Sequence, residues 1–326
     1  MEAGEPVLSQ YPADIFDSLS KFLEDRQRMP GKKPSTGITF RKIEPYLYLA
    51  PATILVVLVF IYPIIKIIQT SLMQNTASGV KIFGFYNYQL VSEDPVFWQA
   101  LQNNGKLLFS VPIMTILALF IAILLFEHVR GWLVYRGLIF LPYILAIPVV
   151  GTTFVYLLGL NGIVNTLLRS LGMGFVAQDW LGSATWVVPS ISVVIIYREL
   201  GFGVVLFLAR LMSLEQEILE AAEIDGANWW QKHIYVTLPQ LAGVIEFFII
   251  VELITMLSWV FAYVFTMTGG GPGFESTILE FYIWKHAFAF RSPGIASALA
   301  VVLLAVTTFL IVLQLRLRRR ALEEAL

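Results

Sequence analysis

Groups able to do chemistry are sparse in this chain, and the conspicuous ones sit inside apolar stretches. There is no cysteine, which removes disulfides, thiol nucleophiles and Cys-ligated metals. His128, His233 and His286 stand far apart, without the spacing of metal ligands, and read as ordinary structural or surface residues. Glu252 is followed by Thr255, Trp259, Tyr263 and Thr266, which at about 100° per residue share one face of a continuous helix. A carboxylate, hydroxyls and aromatic rings on one stripe suit a sugar, whose hydroxyls take hydrogen bonds while its apolar ring face stacks on an aromatic. The same stripe serves equally as a helix–helix interface, with Glu252 paired and the rings packed. Arg198 and Glu199 lie together in another apolar stretch, where a charge costs roughly 2.5–3.5 kcal/mol on insertion scales and so faces a cavity or a partner. Neighbouring helical residues point about 100° apart, so these two are not expected to pair with each other. They line a path, bridge to another helix or contact another subunit. The run Thr268-Gly-Gly-Gly-Pro-Gly273 lacks the Lys and Ser/Thr of a phosphate-binding loop and reads as a turn leaving its apolar stretch. No metal cluster, nucleophile–base pair or cofactor motif is visible.

The elements that position these groups follow from composition. Hydrophobic residues make up 57% and charged ones 14%, with a mean hydropathy of +0.75, against roughly 45–50% and about 25% in soluble domains. The chain reads as an all-α integral membrane protein. Its formal net charge of −1 carries no message about nucleic acid; the placement of Lys and Arg matters instead. Six stretches reach the roughly 20 residues a membrane helix needs: 46–72, 107–126, 137–160, 184–211, 242–267 and 295–315. A polar arm, residues 1–44, precedes a membrane domain over 45–326, so the first stretch reads as a retained signal-anchor rather than a cleaved peptide. Within the arm, Ile15, Phe16, Leu19, Phe22 and Leu23 repeat at helical spacing, for a short amphipathic helix on the membrane surface, on the protein's own cytoplasmic face or on a partner. Basic residues concentrate in the arm, in the second-to-third loop (Arg130, Arg136) and in the tail (Arg316, Arg318, Arg319, Arg320). The positive-inside rule then puts both termini in the cytoplasm.

That orientation also turns a polar passage of about 213–240, between the fourth and fifth spans, toward the cytoplasm. Ser213-Leu-Glu-Gln216 has the spacing of a capping box and predicts a helix from Ser213. Gly226 predicts its stop, since glycine adopts the left-handed conformation that ends helices. A second short helix over 227–236 is expected to end before Pro239. Ala221, Ala222, Gly226 and Ala227 form a small-residue patch open to close approach; an amphipathic loop resting on the membrane face accounts for the same pattern.

The run Glu220-Ala221-Ala222, Gly226, Val236 and Leu238-Pro239 resembles the EAA signature of permease subunits of binding-protein-dependent ABC importers, with Val236 where isoleucine is usual. The likeness extends over residues 45–315, and "TMTGGGPGFESTILEFYIWKHAFAFRSPGIASALAVVLL" resembles the carbohydrate-uptake branch. The resemblance implies an ABC importer type I permease fold of six transmembrane helices with a cytoplasmic EAA coupling-helix loop. It implies that Glu220, Ala221, Ala222, Asp225, Gly226, Ala227, Leu238 and Pro239 couple the chain to an ATPase. The implied partners are a second homologous permease, two ATPase subunits that bind ATP and Mg, an external solute-binding protein, and a sugar-like solute, in a prokaryotic cell membrane. This chain itself would hold no cofactor and do no catalysis. Two alternatives stand beside this: the same permease carrying a sugar phosphate, amino acid or polyamine, and an ion-gradient transporter using Glu252 or Arg198 and Glu199 as coupling charges.

Overall fold

Six helical runs among the described residues are long and apolar enough to cross a bilayer: Pro45–Ser71, Pro95–Phe126, Ile147–Ser170, Val187–Leu211, Trp229–Ser258 and Pro293–Arg316. The 24 residues of the last extend about 36 Å, beyond the roughly 30 Å hydrocarbon core. A computed structural model of the chain describes residues 18, 21, 40–75, 81–127 and 131–323, and divides it into two units, Met1–Tyr62 and Pro63–Leu326. In the first, α1 (Phe40–Val56) runs on through a π-helical turn at Val57–Ile61. The amphipathic helix expected over residues 15–23 lies outside the described residues, save for helical Ser18 and Lys21.

From α2 (Tyr62–Ser71) the second unit continues through a two-stranded antiparallel hairpin, β1 (Met73–Asn75) and β2 (Lys81–Phe83), pairing Met73 with Phe83. Next come α3 (Tyr86–Glu93), α4 (Pro95–Leu108), α5 (Ser110–Phe126), α6 (Trp132–Ile144), α7 (Ile147–Leu158) and α8 (Ile163–Ser170). There follow α9 (Val187–Leu211), α10 (Gln216–Ile224), α11 (Trp229–Gln231), α12 (Leu238–Ser258), α13 (Phe261–Met267), α14 (Leu279–Trp284) and α15 (Pro293–Glu323). The second span starts a dozen residues earlier than its apolar run, because Asp94 caps α4 by accepting from Val96 N at 2.9 Å with Pro95 at the first turn.

The stretch 137–160, read as one span, is two helices. Leu145 and Ala146 are extended (ψ 143° and 136°) and separate α6 from α7. Continuing the helix would drive the Pro148 ring into the carbonyl of Ile144, four residues back, so the chain restarts with Pro148 in the first turn of α7 instead. The stretch 242–267 is likewise interrupted, at Trp259 between α12 and α13.

The core is built around α9, whose Val187, Ile191, Val194, Ile195, Val204, Phe207, Leu208 and Leu211 are buried with Met114 and Ala118 of α5 and Phe248 of α12. Close approach is set by glycine. A Cβ on Gly201 would lie 2.4 Å from the Ile139 carbonyl oxygen of α6, and one on Gly203 2.8 Å from both the Ala118 Cβ and the Phe248 ring. Small residues at such contacts let helix backbones pack where lipid offers no hydrophobic drive. At one end of the bundle, Asn103 donates to the carbonyls of Glu275 (2.7 Å) and Thr277 (2.9 Å), and Asn104 to Glu280 Oε2 (3.0 Å). These bonds tie onto α4 the segment 275–280 that follows the turn Thr268–Gly273, in which Gly269, Gly270 and Gly273 have positive φ.

Candidate functional site

The polar passage folds as a short helix, a glycine turn and a longer helix, with different boundaries from those expected. Ser213 does not start α10: its hydroxyl donates to Arg210 O at 2.7 Å and accepts from Arg210 Nη1 at 2.9 Å, finishing α9 instead. The helix begins at Gln216, after Glu215. Its end is as the glycine predicts. Gly226 has φ +82°, Ala227 N bonds Ala222 O at 3.0 Å and Gly226 N bonds Glu223 O at 3.0 Å, the paired closure of a Schellman motif. Only Leu219 of α10 is buried. Glu220, Ala221, Asp225 and Gly226 are exposed and Ala222 and Ala227 half-buried. Ile224 stands 86% exposed although apolar, which is a surface suited to a partner.

The real capping box is one turn on. Asn228 accepts from Gln231 N at 2.9 Å and Gln231 Oε1 accepts from Asn228 N at 2.9 Å, starting α11. The second helix does not end before Pro239. A π-helical segment, Lys232–Thr237, joins α11 to α12, with Leu238 N bonding His233 O five residues back. The wider turn lets Pro239, which has no N–H to give, enter the first turn of α12 without breaking the run. Leu238 is half-buried and Pro239 exposed.

Within the spans, Arg198 and Glu199 do pair, contrary to expectation: Arg198 Nη1 lies 2.5 Å from Glu199 Oε1. The 100° between their Cα–Cβ bonds is bridged because the Arg side chain is long enough to fold back. It is also held elsewhere, with Nε donating to Leu145 O at 3.1 Å and the guanidinium 5.2 Å from the Tyr143 ring centre. Glu199 Oε1 further accepts from Tyr263 OH at 3.2 Å. Glu252 is 1% exposed and its Oε2 has no hydrogen-bond partner among the described residues. Thr255 turns its hydroxyl back to Val251 O at 3.0 Å. The single stripe is split. The interruption at Trp259 leaves that ring 63% exposed while Glu252 and Tyr263 are buried. Arg198, Glu199, Tyr263 and, through the broken third span, Tyr143 are thus brought together; Trp259 is not among them. Tyr143 carried no sequence signal, because an aromatic in an apolar helix is unremarkable until its neighbour across the bundle is known.

The two described histidines, His233 and His286, sit in packed, structural places. His233 is buried and bonds Thr237 and Glu127, at 3.1 Å each. His286 packs edge-on against Tyr282 at 4.6 Å, and burial holds its imidazole below the usual range. His128 lies outside the described residues. Among the described residues no group of three or more His, Asp or Glu gathers to hold a metal.

A polytopic helical bundle carrying a glycine-closed, outward-presented polar loop and a buried charge cluster is the build of a membrane transport component. The family described as binding-protein-dependent transport system inner membrane component matches residues 99–323, and this chain belongs to it. It is 33% identical over 290 residues to the probable ABC transporter permease protein YurN of Bacillus subtilis (strain 168), covering 87% of this chain and 98% of that one. It is 33% identical over 279 residues to the sulfoquinovosyl glycerol transport system permease protein SmoG of Agrobacterium fabrum (strain C58 / ATCC 33970), covering 84% and 89%. Its fold matches a chain of a bacterial alginate ABC transporter, solved in complex with an alginate pentasaccharide-bound periplasmic protein, with a TM-score of 0.74 at 22% identity, over 87% of this chain and 98% of that one. The chain is therefore a multi-pass membrane protein with the ABC importer permease fold.

Proposed function

We propose that this chain is one of two related permeases that, with two ATPase subunits and an external solute-binding protein, import a sugar or sugar-like solute into a prokaryotic cytoplasm. The observation that carries the reading is α10. It buries a single side chain, Leu219, is closed by a left-handed Gly226, and offers Glu220, Ala221, Asp225 and Ile224 outward. Such a helix is a handle. Glu220 and Asp225 give an ATPase cleft charged hydrogen-bond partners, Ala221, Ala222 and Ala227 allow close approach, and Gly226 sets the angle into the segment that Leu238 and Pro239 carry into the fifth span. Closure of two ATPase subunits on ATP and Mg would rock the paired permeases between outward- and inward-facing states. This chain would supply motion and a path, with no bond made or broken by its own residues.

The basic arm, second-to-third loop and tail support cytoplasmic termini by the positive-inside rule. Sugar as cargo is supported by SmoG, a relative named for sulfoquinovosyl glycerol, and by the alginate importer that shares the fold. Along the path, Arg198, Glu199, Tyr263 and the unpartnered Glu252 oxygen offer donors and acceptors, Thr255 a hydroxyl, and Trp259 an exposed ring on which a pyranose face can stack. The match to a binding-protein-dependent transport family weighs against the ion-driven alternative.

The test is to extract the tagged chain from its native membrane in mild detergent, identify what accompanies it and assay ATP hydrolysis. An ATPase and a second permease are expected, with Gly226→Val releasing the ATPase while the permease pair stays together. A chain that comes out alone, without ATPase activity, overturns the reading.

A further inference from the structure

Glu127 closes α5, and its Oε1 collects donors from the segment that follows α10. Trp229 Nε1 donates to it at 2.7 Å, His233 Nε2 at 3.1 Å, and Lys232 Nζ stands 3.8 Å away. Burial alone would raise the Glu127 carboxyl, but the hydrogen bonds of Trp229 and His233 and the charges of His233 and Lys232 hold it below its ordinary value. An ionised carboxylate accepts only, so His233 Nε2 donates to it, while Nδ1 lies 3.1 Å from Thr237 Oγ1. Lys232 Nζ also meets Glu223 Oε1 of α10 at 2.7 Å. One ammonium therefore touches α10 directly and, through Glu127, the end of the second span. Around it, Trp229 stacks edge-on against Phe120 of α5 at 6.5 Å and against His233 at 4.5 Å.

What α10 lacks makes this cluster matter. Between the helix and the bundle is an open cleft of about 420 Å³ lined by Phe126, Leu214, Leu219 and Lys232 among others. A helix beside such a cleft, with one buried apolar side chain, has little apolar packing to resist displacement under load. We propose that Glu127 is a positioning residue, the strut that makes α10 and α5 move as one body. Load on α10 passes through Lys232 and the Trp229–His233 pair into the second span instead of being lost as movement of α10 alone. This rests on the coupling reading of α10.

The chain has no cysteine of its own, so nitroxide labels at Glu217→Cys on α10 and Ile113→Cys on α5 report the distance between the two helices by pulsed electron paramagnetic resonance. The measurement uses the full complex, with its partners' cysteines replaced, first without nucleotide and then trapped with ATP and vanadate. In the parent complex the distance is expected to keep its position and width in both states. Glu127→Gln should match the parent without nucleotide and retain the ATPase, yet shift to shorter distances and broaden on trapping. Glu127→Asp, which keeps the charge, should follow the parent. Gln and Asp variants that behave alike overturn the strut. So does a Gln variant that is already broad without nucleotide and has lost its ATPase, since Glu127 would then only hold the loop folded. Absence of any ATPase from the parent complex is read before any Glu127 variant is made; it overturns the coupling reading, and the strut with it.

Discussion

Gly226 is the position where a single atom should separate docking from folding. Its φ of +82° is left-handed, and an added Cβ would meet no heavy atom within 4 Å. The penalty of a side chain there is therefore backbone strain alone, about 1–2 kcal/mol for a residue carrying a Cβ and more for a β-branched one. Relief comes by giving up the closure, that is, the bonds Gly226 N to Glu223 O and Ala227 N to Ala222 O, both 3.0 Å. That rotates α10 against the segment after it. A cost of about 1–2 kcal/mol changes the population of the docking-competent loop by a factor of roughly 5–30. Titrating the purified ATPase onto the permease pair in lipid nanodiscs should show Gly226→Val weakening Kd by that factor or more. Gly226→Ala should fall at the low end, and Gly226→Asn should stay close to the parent because Asn tolerates the left-handed region. A Val variant that binds as well as the parent refutes the claim that the turn sets the docking angle. An Asn variant as weak as Val refutes the strain argument, since backbone conformation would not be what was lost.

Acidification gives a second check, on Glu127. Its folded value lies below the ordinary 4.5, so its ionised form contributes stability that is fully present above about pH 4.5 and is lost as pH falls through the lowered value. The melting advantage of the parent over Glu127→Gln should therefore be constant from neutral pH down to that point and shrink below it; an advantage that vanishes by pH 6 would place the effect on another group. Removing one member of the Arg198–Glu199 pair, whose side chains are 15% and 5% exposed, should cost about 3–5 kcal/mol, while replacing both with Met recovers only part of it, because Leu145 O and Tyr263 OH lose their partners. Thermal stability by fluorescence-detected size exclusion measures this, and additive losses would deny the pairing. Gly201→Ala should destabilise, because its Cβ would press on the immovable Ile139 carbonyl. Gly105→Ala, with open space at the Cβ inside α4, should stabilise by about 0.5–1 kcal/mol.

What could be seen in the sequence was local. Apolar length located the spans, and Gly226 announced its turn because only its own φ was at stake. Ser213-x-x-Gln216 misled because the hydroxyl was claimed by Arg210, three residues earlier, while Asn228-x-x-Gln231 formed the box that was passed over. Glu127 was invisible because its partners lie 102 and 106 residues away. The stripe from Glu252 to Tyr263 assumed an uninterrupted helix, and failed at Trp259.

Two of the misreadings are a single physical event. An unbroken third span would have satisfied Leu145 O with Val149 N; with Pro148 in the way, Val149 N bonds Ala146 O at 3.0 Å instead. The Leu145 carbonyl is left without its helical partner, and a backbone polar group inside a span needs one from the protein. Arg198, 53 residues on, donates to it, and a guanidinium brought there for that purpose needs an anion beside it, which Glu199 supplies. The pair so awkward on a helical wheel is thus the answer to a break that a proline enforces. Both residues were in plain view in the sequence; that one compensates for the other is a property of the packed bundle. A helix interrupted within the spans, its carbonyl held by an arginine that also touches Glu199 and, through it, Tyr263, ties the charge cluster to a backbone joint.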